Sequence, residues 1–388
     1  MKIGILTVHS QINYGAVLQA FALQSVLENA GHEVVVLDRQ LDADSNPLLG
    51  AIKRGSFVCR VKLAVRGMLL LGDFTDLLRR VRTARFIKKL LNLSKDRFIG
   101  WSDLPRPLDV DLIVVGSDQV WNTKHHDPHA FLLDFEHTIP AISYAASFGT
   151  DSIDETWLSL FRQRLPGFKR ISVREKQGVR ILEGLGFPST RVVDPTLLPE
   201  RNVWERFIRR SRDNRRVLVC YLMFPPSWNE MRDLVAFCRR NNCRAEIFSG
   251  TIALPISSGW KSFRDAAARP VFSLRGCVRY RLSATPDEFV CSMANAEWVV
   301  TSAFHGLMFS CVFRKQVRLV RQFHKDNPPA FRRMEEFVAD YMKGNVVVDE
   351  FGDAIKSLES ENIAYDNDKI EDARIESHKW LDSAVAGT

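Results

Sequence analysis

The stretch that most constrains the fold lies at residues 296–313 and reads AEWVVTSAFHGLMFSCVF. A short β-favouring run, residues 298–301, ends in a turn of small residues before His305, and apolar residues at helical spacing follow. A strand, a tight turn and a helix in this order direct backbone N–H groups and the positive end of a helix dipole towards one point. We therefore expect an α/β fold with a place to hold an anion beside His305. The alternative is an ordinary turn in which His305 only packs or caps the helix.

Further strands with polar residues at their carboxyl ends recur along the chain. Residues 3–8, 16–30 and 33–37 predict a first strand, helix and strand. The later strands are followed by Gly116-Ser117-Asp118-Gln119, by Ser147-Phe148-Gly149 and by Arg174-Glu175, and a second cycle of strands and helices starts near residue 216. Such a series indicates parallel, doubly wound sheets whose ligands gather at the carboxyl ends of the strands.

The 388 residues suffice for two domains with proper cores. We expect two Rossmann-like α/β domains facing across a cleft, at residues 1–195 and 196–388. The first carries a basic helical insertion at residues 50–100, and the second ends in a C-terminal helical tail. Within the second, Thr285, Pro286 and Glu288 form the strongest helix-start signal of the chain, a capping box with proline at the first helical position.

Composition excludes several classes of protein. The seven cysteines include no CxxC pair, so neither a disulfide framework nor a zinc site is expected. The N-terminus reads as a first strand rather than a signal peptide, and no apolar run approaches the roughly 20 residues of a membrane span. We expect a cytoplasmic protein.

Residues 53–97 hold thirteen Lys and Arg against three Asp. Part of this region fits an amphipathic helix, which predicts either a solvated helix face or peripheral contact with acidic lipids at the inner face of the cell membrane. No series of aromatic residues accompanies the charge, so nucleic-acid binding is not expected.

The chain carries, in this order, the motifs Asn13-Tyr14-Gly15 with Gln19, DLIVVGSDQVWN, ISYAASFG, ISVRE, VVDPTLL and VVTSAFHG. In the content and order of these motifs, it resembles the polysaccharide pyruvyl transferase family. The resemblance runs from Thr7 to about Phe313 and implies a GT-B-like fold. It also implies transfer of the pyruvyl skeleton from phosphoenolpyruvate, as co-substrate, to two hydroxyls of a sugar in exopolysaccharide or another cell-surface polysaccharide. No cofactor is implied.

On this resemblance, His305 is the catalytic acid that protonates the donor, and Arg174 of ISVRE is a donor-binding residue. An imidazole can transfer protons near neutral pH, and a guanidinium can bind a phosphate or carboxylate through two donors. The turn around His305 supplies the other donor-binding residues, Ser302, Ala303, Phe304 and Gly306.

One residue departs from the better-known members, which often carry Arg two residues before the His, whereas this chain has Ala303. Serine also occurs at that position. The sequence leaves Arg279, Arg281 or Arg321 as replacements for the missing cation.

The acceptor side is expected in the first domain, where hydrogen-bonding side chains and an aromatic ring can hold a sugar. Its predicted residues are Asn13, Ser117, Gln119, Trp121 and Ser147. Asp118 is a second predicted catalytic residue, a base for the attacking hydroxyl, with an Asx turn or helix cap as the alternative. The histidines at 125, 126 and 129 flank an Asp-Pro loop, and we expect no metal site there.

Two other functions fit the same sequence. The first is a glycosyltransferase that uses a nucleotide sugar, because a fold does not determine function. The second is a non-catalytic family member that scaffolds polysaccharide assembly, an alternative that Ala303 keeps open. For the pyruvyl transferase function, the expected acceptor is a sugar or oligosaccharide, and the sequence leaves open whether it is free, nucleotide-linked or lipid-linked.

Overall fold

The computed structural model describes residues 1–9, 13–39, 72–98, 108–135, 138–209, 213–224, 226–249, 272, 276–324 and 328–388. They form two compact units: unit 1 comprises residues 1–74, 84–199 and 370–388, and unit 2 comprises residues 75–83 and 200–369. The part of the basic region at residues 53–71 lies outside the described residues.

Unit 1 is built on a seven-stranded parallel sheet of mostly buried apolar runs. Its strands are β1 (Lys2–Leu6), β2 (Glu33–Arg39), β3 (Leu93–Phe98), β4 (Leu112–Val115), β5 (Ala141–Ala146), β6 (Phe168–Val173) and β7 (Thr190–Arg191). The spatial order is β3-β2-β1-β4-β5-β6-β7. Because the order of the strands turns back between β1 and β4, a crevice is expected at the carboxyl ends of these two strands.

The helices of unit 1 connect these strands, and three of them begin at side chains that accept backbone hydrogen bonds. They are α1 (Tyr14–Asn29), α2 (Gly72–Leu90), of which residues 75–83 belong to unit 2, α3 (Pro128–Phe131), α4 (Glu155–Arg164) and α5 (Lys176–Leu185). Asn13, Asp127 and Asp154 are the N-caps of α1, α3 and α4. Large aromatic side chains, among them Trp121 and Phe161, fill the core beneath the sheet.

Unit 2 repeats the plan with a six-stranded parallel sheet. Its strands are β8 (Arg216–Leu222), β9 (Cys243–Ser249), β10 (Val278–Tyr280), β11 (Trp298–Thr301), β12 (Gln316–Val320) and β14 (Val347–Val348), while β13 (Met342–Lys343) pairs with β15 (Ala364–Tyr365) in a separate antiparallel ribbon. The order β10-β9-β8-β11-β12-β14 turns back between β8 and β11. A second crevice is therefore expected at the carboxyl ends of these two strands.

The helices of unit 2 include the predicted capping box. They are α6 (Arg201–Glu205), α7 (Trp228–Arg240), α8 (Pro286–Asn295), α9 (Phe304–Val312), α10 (Pro328–Tyr341) and α11 (Phe351–Ser360). Thr285 and Glu288 exchange hydrogen bonds with each other's backbone at the start of α8, which confirms the predicted helix start. A second capping box joins Ser227 and Glu230 at the start of α7.

Two expectations about the domains are wrong. The last helix, α12 (Asn367–Ala386), belongs to unit 1 from residue 370 onward and not to the second domain. The Val193 N–H donates to Ser377 Oγ at 3.0 Å, and the Trp380 ring lies 6.1 Å from that of Tyr144, so this helix packs on the first sheet. The insertion expected at 50–100 is helical only in part, because residues 93–98 form β3 of the first sheet.

Helix α2 is present as predicted, but its basic residues divide between two environments. Arg79 is buried and donates to Ser249 O at 3.2 Å, and Arg82 donates to Glu288 Oε1 at 2.8 Å, so both side chains are used within unit 2. Leu78 and Val81 are instead 39% and 41% exposed. Every helix in the described part of the chain is too short or too polar to cross a membrane.

Candidate functional site

A buried hydrogen-bond network joins the carboxyl ends of β1 and β4 in unit 1. Thr7 Oγ1 donates to Ser117 O at 2.9 Å, and Gln19 Nε2 donates to Thr7 Oγ1 at 2.9 Å. Ser117 N–H donates in turn to Gln19 Oε1 at 3.1 Å, and Gln19 has no exposed surface. Gln19 thus positions the loop after β4, a role that its place in a sequence motif does not reveal.

Asp118 stands at the top of this loop in a left-handed backbone conformation, with φ of 68°. Asp tolerates this region because its side chain can bond locally, and Asp118 Oδ1 indeed accepts from Gln119 N–H at 2.9 Å. Asp118 is 8% exposed, so only a small part of this residue reaches the surface at the carboxyl end of β4. Non-glycine residues held in this conformation are concentrated at functional sites.

Arg174 lies in the same unit, within a cluster of three carboxylates. Its Nη1 donates to Asp194 Oδ2 at 2.7 Å, its Nε is 3.7 Å from Glu175 Oε2, and its Nη2 is 4.0 Å from Asp118 Oδ1. Burial by itself would lower the pKa of Arg174, but the charges of the three carboxylates outweigh it and raise that pKa. The guanidinium is therefore held by protein carboxylates, and its contact with a donor stays a prediction.

Ser147 and Ser117 are fully buried and serve the scaffold. Ser147 Oγ donates to Glu175 Oε1 at 2.7 Å, and Ser117 Oγ donates to Ala145 O at 2.9 Å. Asn13 is exposed and caps α1, with its Oδ1 accepting from Gly15 N–H at 3.0 Å. Of these three predicted acceptor residues, only Asn13 presents its side chain to solvent.

Trp121 is not placed to bind a sugar, which contradicts its predicted role. Its side chain is 1% exposed, and its Nε1–H donates to Phe131 O at 3.2 Å. Its ring packs in the core against those of Phe148, Phe161 and Phe168. A sugar cannot stack on a ring whose surroundings are already filled by aromatic side chains.

The histidine-rich loop is ordered by other contacts. Asp127 Oδ1 accepts from His129 N–H at 3.0 Å, and His129 Nδ1 contacts the Asp134 carboxylate. Burial lowers the pKa of His126 to about 4, against the opposing effect of the negative charge of Asp118. Within the described residues, no group of three or more His, Cys, Asp or Glu side chains is placed to bind a metal ion.

In unit 2, the loop after β11 is fastened to the loop after β8, where the sheet order turns back. Thr301 Oγ1 donates to Tyr221 O at 2.7 Å, and Met223 N–H donates to Ser302 Oγ at 2.9 Å. His324 Nε2 lies 2.6 Å from Ser302 O, so the ring donates to that carbonyl. Ser302 is thereby held on both its side chain and its backbone, as the support of the turn.

Gly306 allows α9 to start directly against β11. A Cβ at this position would lie 2.1 Å from Thr301 Oγ1 and 2.9 Å from Thr301 Cβ, distances that no real Cβ contact shows. Ala303 is the N-cap of α9, and its N–H donates to Thr301 Oγ1 at 3.1 Å. The positive end of the α9 dipole therefore meets the carboxyl end of β11 with no intervening side chain.

His305 is the second residue of α9, 6% exposed, with its ring centroid 5.3 Å from that of Phe304. An imidazole at a helix N-terminus combines a proton donor with the backbone N–H groups and dipole that bind an anion. The structure thus brings together the residues predicted around His305, all in unit 2, whereas Arg174 belongs to unit 1.

Three residues that structure these edges were given no role from the sequence: Glu175, Asp194 and His324. Asp194 accepts from Thr196 N–H and Oγ1 at 3.0 and 2.7 Å, a pattern that Asp-Pro-Thr after a strand can signal. Glu175 and His324 carry no such local signal, because the residues that hydrogen-bond to them, Ser147 and Phe148 for Glu175 and Ser302 for His324, are distant in sequence.

Two parallel-sheet α/β units with polar carboxyl edges place the protein in the GT-B-like fold class. The sequence profile named polysaccharide pyruvyl transferase matches residues 13–322, which cover most of the chain. The protein belongs to the polysaccharide pyruvyl transferase family, which makes it a polysaccharide-modifying transferase. No curated protein matches its sequence.

Among solved structures, HepE from Anabaena, crystallised in complex with UDP, matches with a TM-score of 0.51 and 9% identity over 100% of both chains. UDP-N-acetylglucosamine 2-epimerase from Rickettsia bellii has a TM-score of 0.48 and 9% identity, over 100% of this chain and 96% of its own. UDP-GlcNAc 2-epimerase from Neisseria meningitidis, bound to UDP-GlcNAc, has a TM-score of 0.47 and 11% identity over 100% of both chains. At these identities, the HepE likeness supports the fold alone.

Proposed function

We propose that the protein forms a pyruvate ketal on a sugar of a cell-surface polysaccharide or its precursor, with phosphoenolpyruvate as donor. The observation that carries the proposal is His305 at the start of α9, in a motif of the matched family. Phosphoenolpyruvate brings two anionic groups to a helix N-terminus and a double bond to an adjacent acid, which is the chemistry that this edge can serve.

The proposed reaction has two additions at C2 of the donor. The His305 imidazolium gives its proton to C3, the double bond is lost, and a sugar hydroxyl oxygen bonds to C2 while its proton passes to a base. The bond between C2 and the phosphate oxygen then breaks, phosphate leaves, and the second hydroxyl bonds to C2 with loss of its proton. The products are the cyclic ketal and inorganic phosphate.

The acceptor is proposed to bind unit 1, with Asp118 as the base and with Asn13 and Gln119 as hydrogen-bonding partners. Asp118 and Asn13 lie at the carboxyl edge of the sheet, after β4 and β1, where the order of the strands turns back. Gln119 also supports this loop, since its Oε1 accepts from Asn122 Nδ2 at 2.6 Å.

Two measurements test the donor. Phosphoenolpyruvate and a UDP-sugar are each titrated in thermal unfolding, because a ligand that binds only the folded state raises Tm. Stabilisation by the UDP-sugar and none by phosphoenolpyruvate would overturn the proposal in favour of a glycosyltransferase.

Next, phosphate release from phosphoenolpyruvate is followed with candidate glycans for His305→Gln, with His125→Gln, an exposed loop histidine, as control. Loss of the acid is expected to lower kcat about 10²- to 10⁴-fold with little change in donor affinity, whereas the control stays near wild type. Glycan pyruvylation that persists unchanged in cells carrying His305→Gln would instead favour the scaffold alternative.

We also propose that α2 contacts acidic lipid, as a lipid-linked acceptor would require. On the exposed side of α2, Arg85, Lys88 and Lys89 accompany Leu78 and Val81. Each basic residue near such a surface contributes about 1 kcal/mol. Co-flotation with phosphatidylserine vesicles at low salt, lost in Lys88→Ser/Lys89→Ser, is the expected result, and no flotation of the wild type would contradict it.

A further inference from the structure

The turn before α9 carries little positive charge for the donor that the proposed function requires. Phosphoenolpyruvate has a phosphate and a carboxylate, and each anionic group is bound most strongly by charged donors. Residues 301–306 contain one ionisable side chain, that of His305, and Ala303 has no side-chain donor. A cation from another element is therefore needed at this turn.

Arg279 and Arg281, suggested by the sequence, lie three strands away from the strand that precedes this turn. They lie on or beside β10, which β9 and β8 separate from β11 in the sheet. With strands about 4.8 Å apart, three spacings place β10 about 14 Å from β11. In addition, Arg281 Nε faces Glu246 Oε2 at 3.8 Å.

Arg321 follows β12, the strand beside β11, and is therefore closer in the sheet order. However, its guanidinium contacts two carboxylates, those of Asp349 and Glu335. Its side chain is 48% exposed and directed towards these acids, whose charges together exceed its own. An added anion would therefore have to compete with these two carboxylates for Arg321.

Arg333, on α10, reaches the turn by another route. Its guanidinium carbon lies 5.1 Å from the ring centroid of Phe304, the first residue of α9. The ring of His305 contacts the same Phe304 ring edge to face, at 5.3 Å and 87°. One aromatic side chain, 8% exposed, therefore contacts both the guanidinium and the imidazole.

The orientation of Arg333 is also defined by the backbone of its own helix. Its Nε donates to Ala330 O at 3.2 Å, which holds the planar guanidinium in one direction over Phe304. The electrons of an aromatic face attract a cation that lies over it, which further stabilises this position of the guanidinium. A guanidinium fixed in this way is suited to bind a carboxylate or phosphate through two donors.

The charge of Arg333 extends to the other end of the turn. His324 holds Ser302 O at 2.6 Å, and its pKa is lowered first by burial and then by the positive charge of Arg333. The turn from Ser302 to His305 thus lies within the field of this guanidinium, in addition to the dipole of α9.

From these contacts we propose that Arg333 is a donor-binding residue, whose guanidinium binds an anionic group of phosphoenolpyruvate at the start of α9. The inference rests on the proposed function and adds to it the cation that Ala303 does not provide. His305 then transfers the proton, while Arg333 contributes to affinity.

The experiment measures Kd for phosphoenolpyruvate, and for inorganic phosphate as a second probe, in wild type, Arg333→Ala, Arg333→Lys and the control Arg332→Ala. Arg332 is the exposed neighbour on the same helix. Loss of a charged hydrogen bond is expected to raise the donor Kd about 10- to 150-fold in Arg333→Ala, with partial recovery in Arg333→Lys. Arg332→Ala is expected to bind as wild type does, and kcat at saturating donor to change less than Kd.

Outcomes separate the inference from the proposed function. If wild type binds no phosphoenolpyruvate, the proposed function fails and the inference with it. If wild type binds and both Arg333 variants bind equally well, only the inference is overturned. If Arg333→Ala does not fold, the folded variant Arg333→Lys provides the test. Affinities for phosphoenolpyruvate and phosphate that equal those of wild type in Arg333→Lys, with the same salt dependence, would contradict a guanidinium contact. If Arg333→Ala also binds inorganic phosphate more weakly than wild type does, the phosphate of phosphoenolpyruvate is the group that Arg333 binds.

Discussion

Replacement of Arg174 by methionine distinguishes a structural role of this residue from a role in donor binding. Its side chain is 3% exposed, and the Asp194 carboxylate that it binds at 2.7 Å is fully buried. Methionine fills much of the same volume but leaves the carboxylates of Asp194 and Glu175 without their cation. Breaking a buried ion pair from one side costs about 3–5 kcal/mol. Because Thr196 still donates twice to Asp194, we expect about 3 kcal/mol.

The assay is urea unfolding with hydrogen exchange of the β5 and β6 amides, compared with Arg180→Met. Arg180 is an exposed residue of the neighbouring helix α5, and its substitution is expected to change stability by less than about 0.5 kcal/mol. Asp194→Asn in the Arg174→Met background removes a buried charge and should recover part of the loss.

The opposite result is equally informative. If Arg174→Met unfolds with the same free energy as Arg180→Met but binds phosphoenolpyruvate weakly, the carboxylate cluster is not a structural ion network. Arg174 would then act mainly on the donor, as the family resemblance implies.

Two further predictions concern Gly306 and His126. Gly306→Ala places a methyl group against Thr301 Oγ1 and should cost about 1–3 kcal/mol and weaken donor binding, with Thr301→Ala restoring part of both in thermal unfolding. His126 has a pKa lowered from 6.5 to about 4 by burial, so the unfolded state binds more protons between these values and stability falls as pH decreases. By this linkage, the free energy of unfolding of wild type should fall by about 2 kcal/mol more between pH 7 and pH 5 than that of His126→Gln. The control His125→Gln should behave as wild type does. Equal pH profiles of stability for all three proteins would refute the assignment.

The local elements were accessible to sequence reasoning where neighbouring residues determine them. The capping box of Thr285 and Glu288, the strand Trp298–Thr301 and the helix that follows depend on side chains within a few positions. Gly306 belongs to this class as well, since the residue that excludes a side chain there, Thr301, lies five positions earlier.

Burial and pairing were not accessible in this way. Trp121 follows a polar turn and could not be recognised as buried, because Phe148, Phe161 and Phe168 come from later parts of the chain. The C-terminal helix has the same amphipathic pattern whichever unit it packs on. Its contacts with Val193 and Tyr144 show that it packs on unit 1.

By itself, the sequence determined the α/β class, the family and the position of His305 at a helix start. These depend on periodicity, on small residues in turns and on hydrogen bonds between near neighbours. Only the tertiary structure decided that three carboxylates surround Arg174 and that the Arg333 guanidinium packs on the ring of Phe304, next to His305. Ion pairs and ring contacts depend on distances in space, which the long path of the chain through two sheets sets and local patterns do not record.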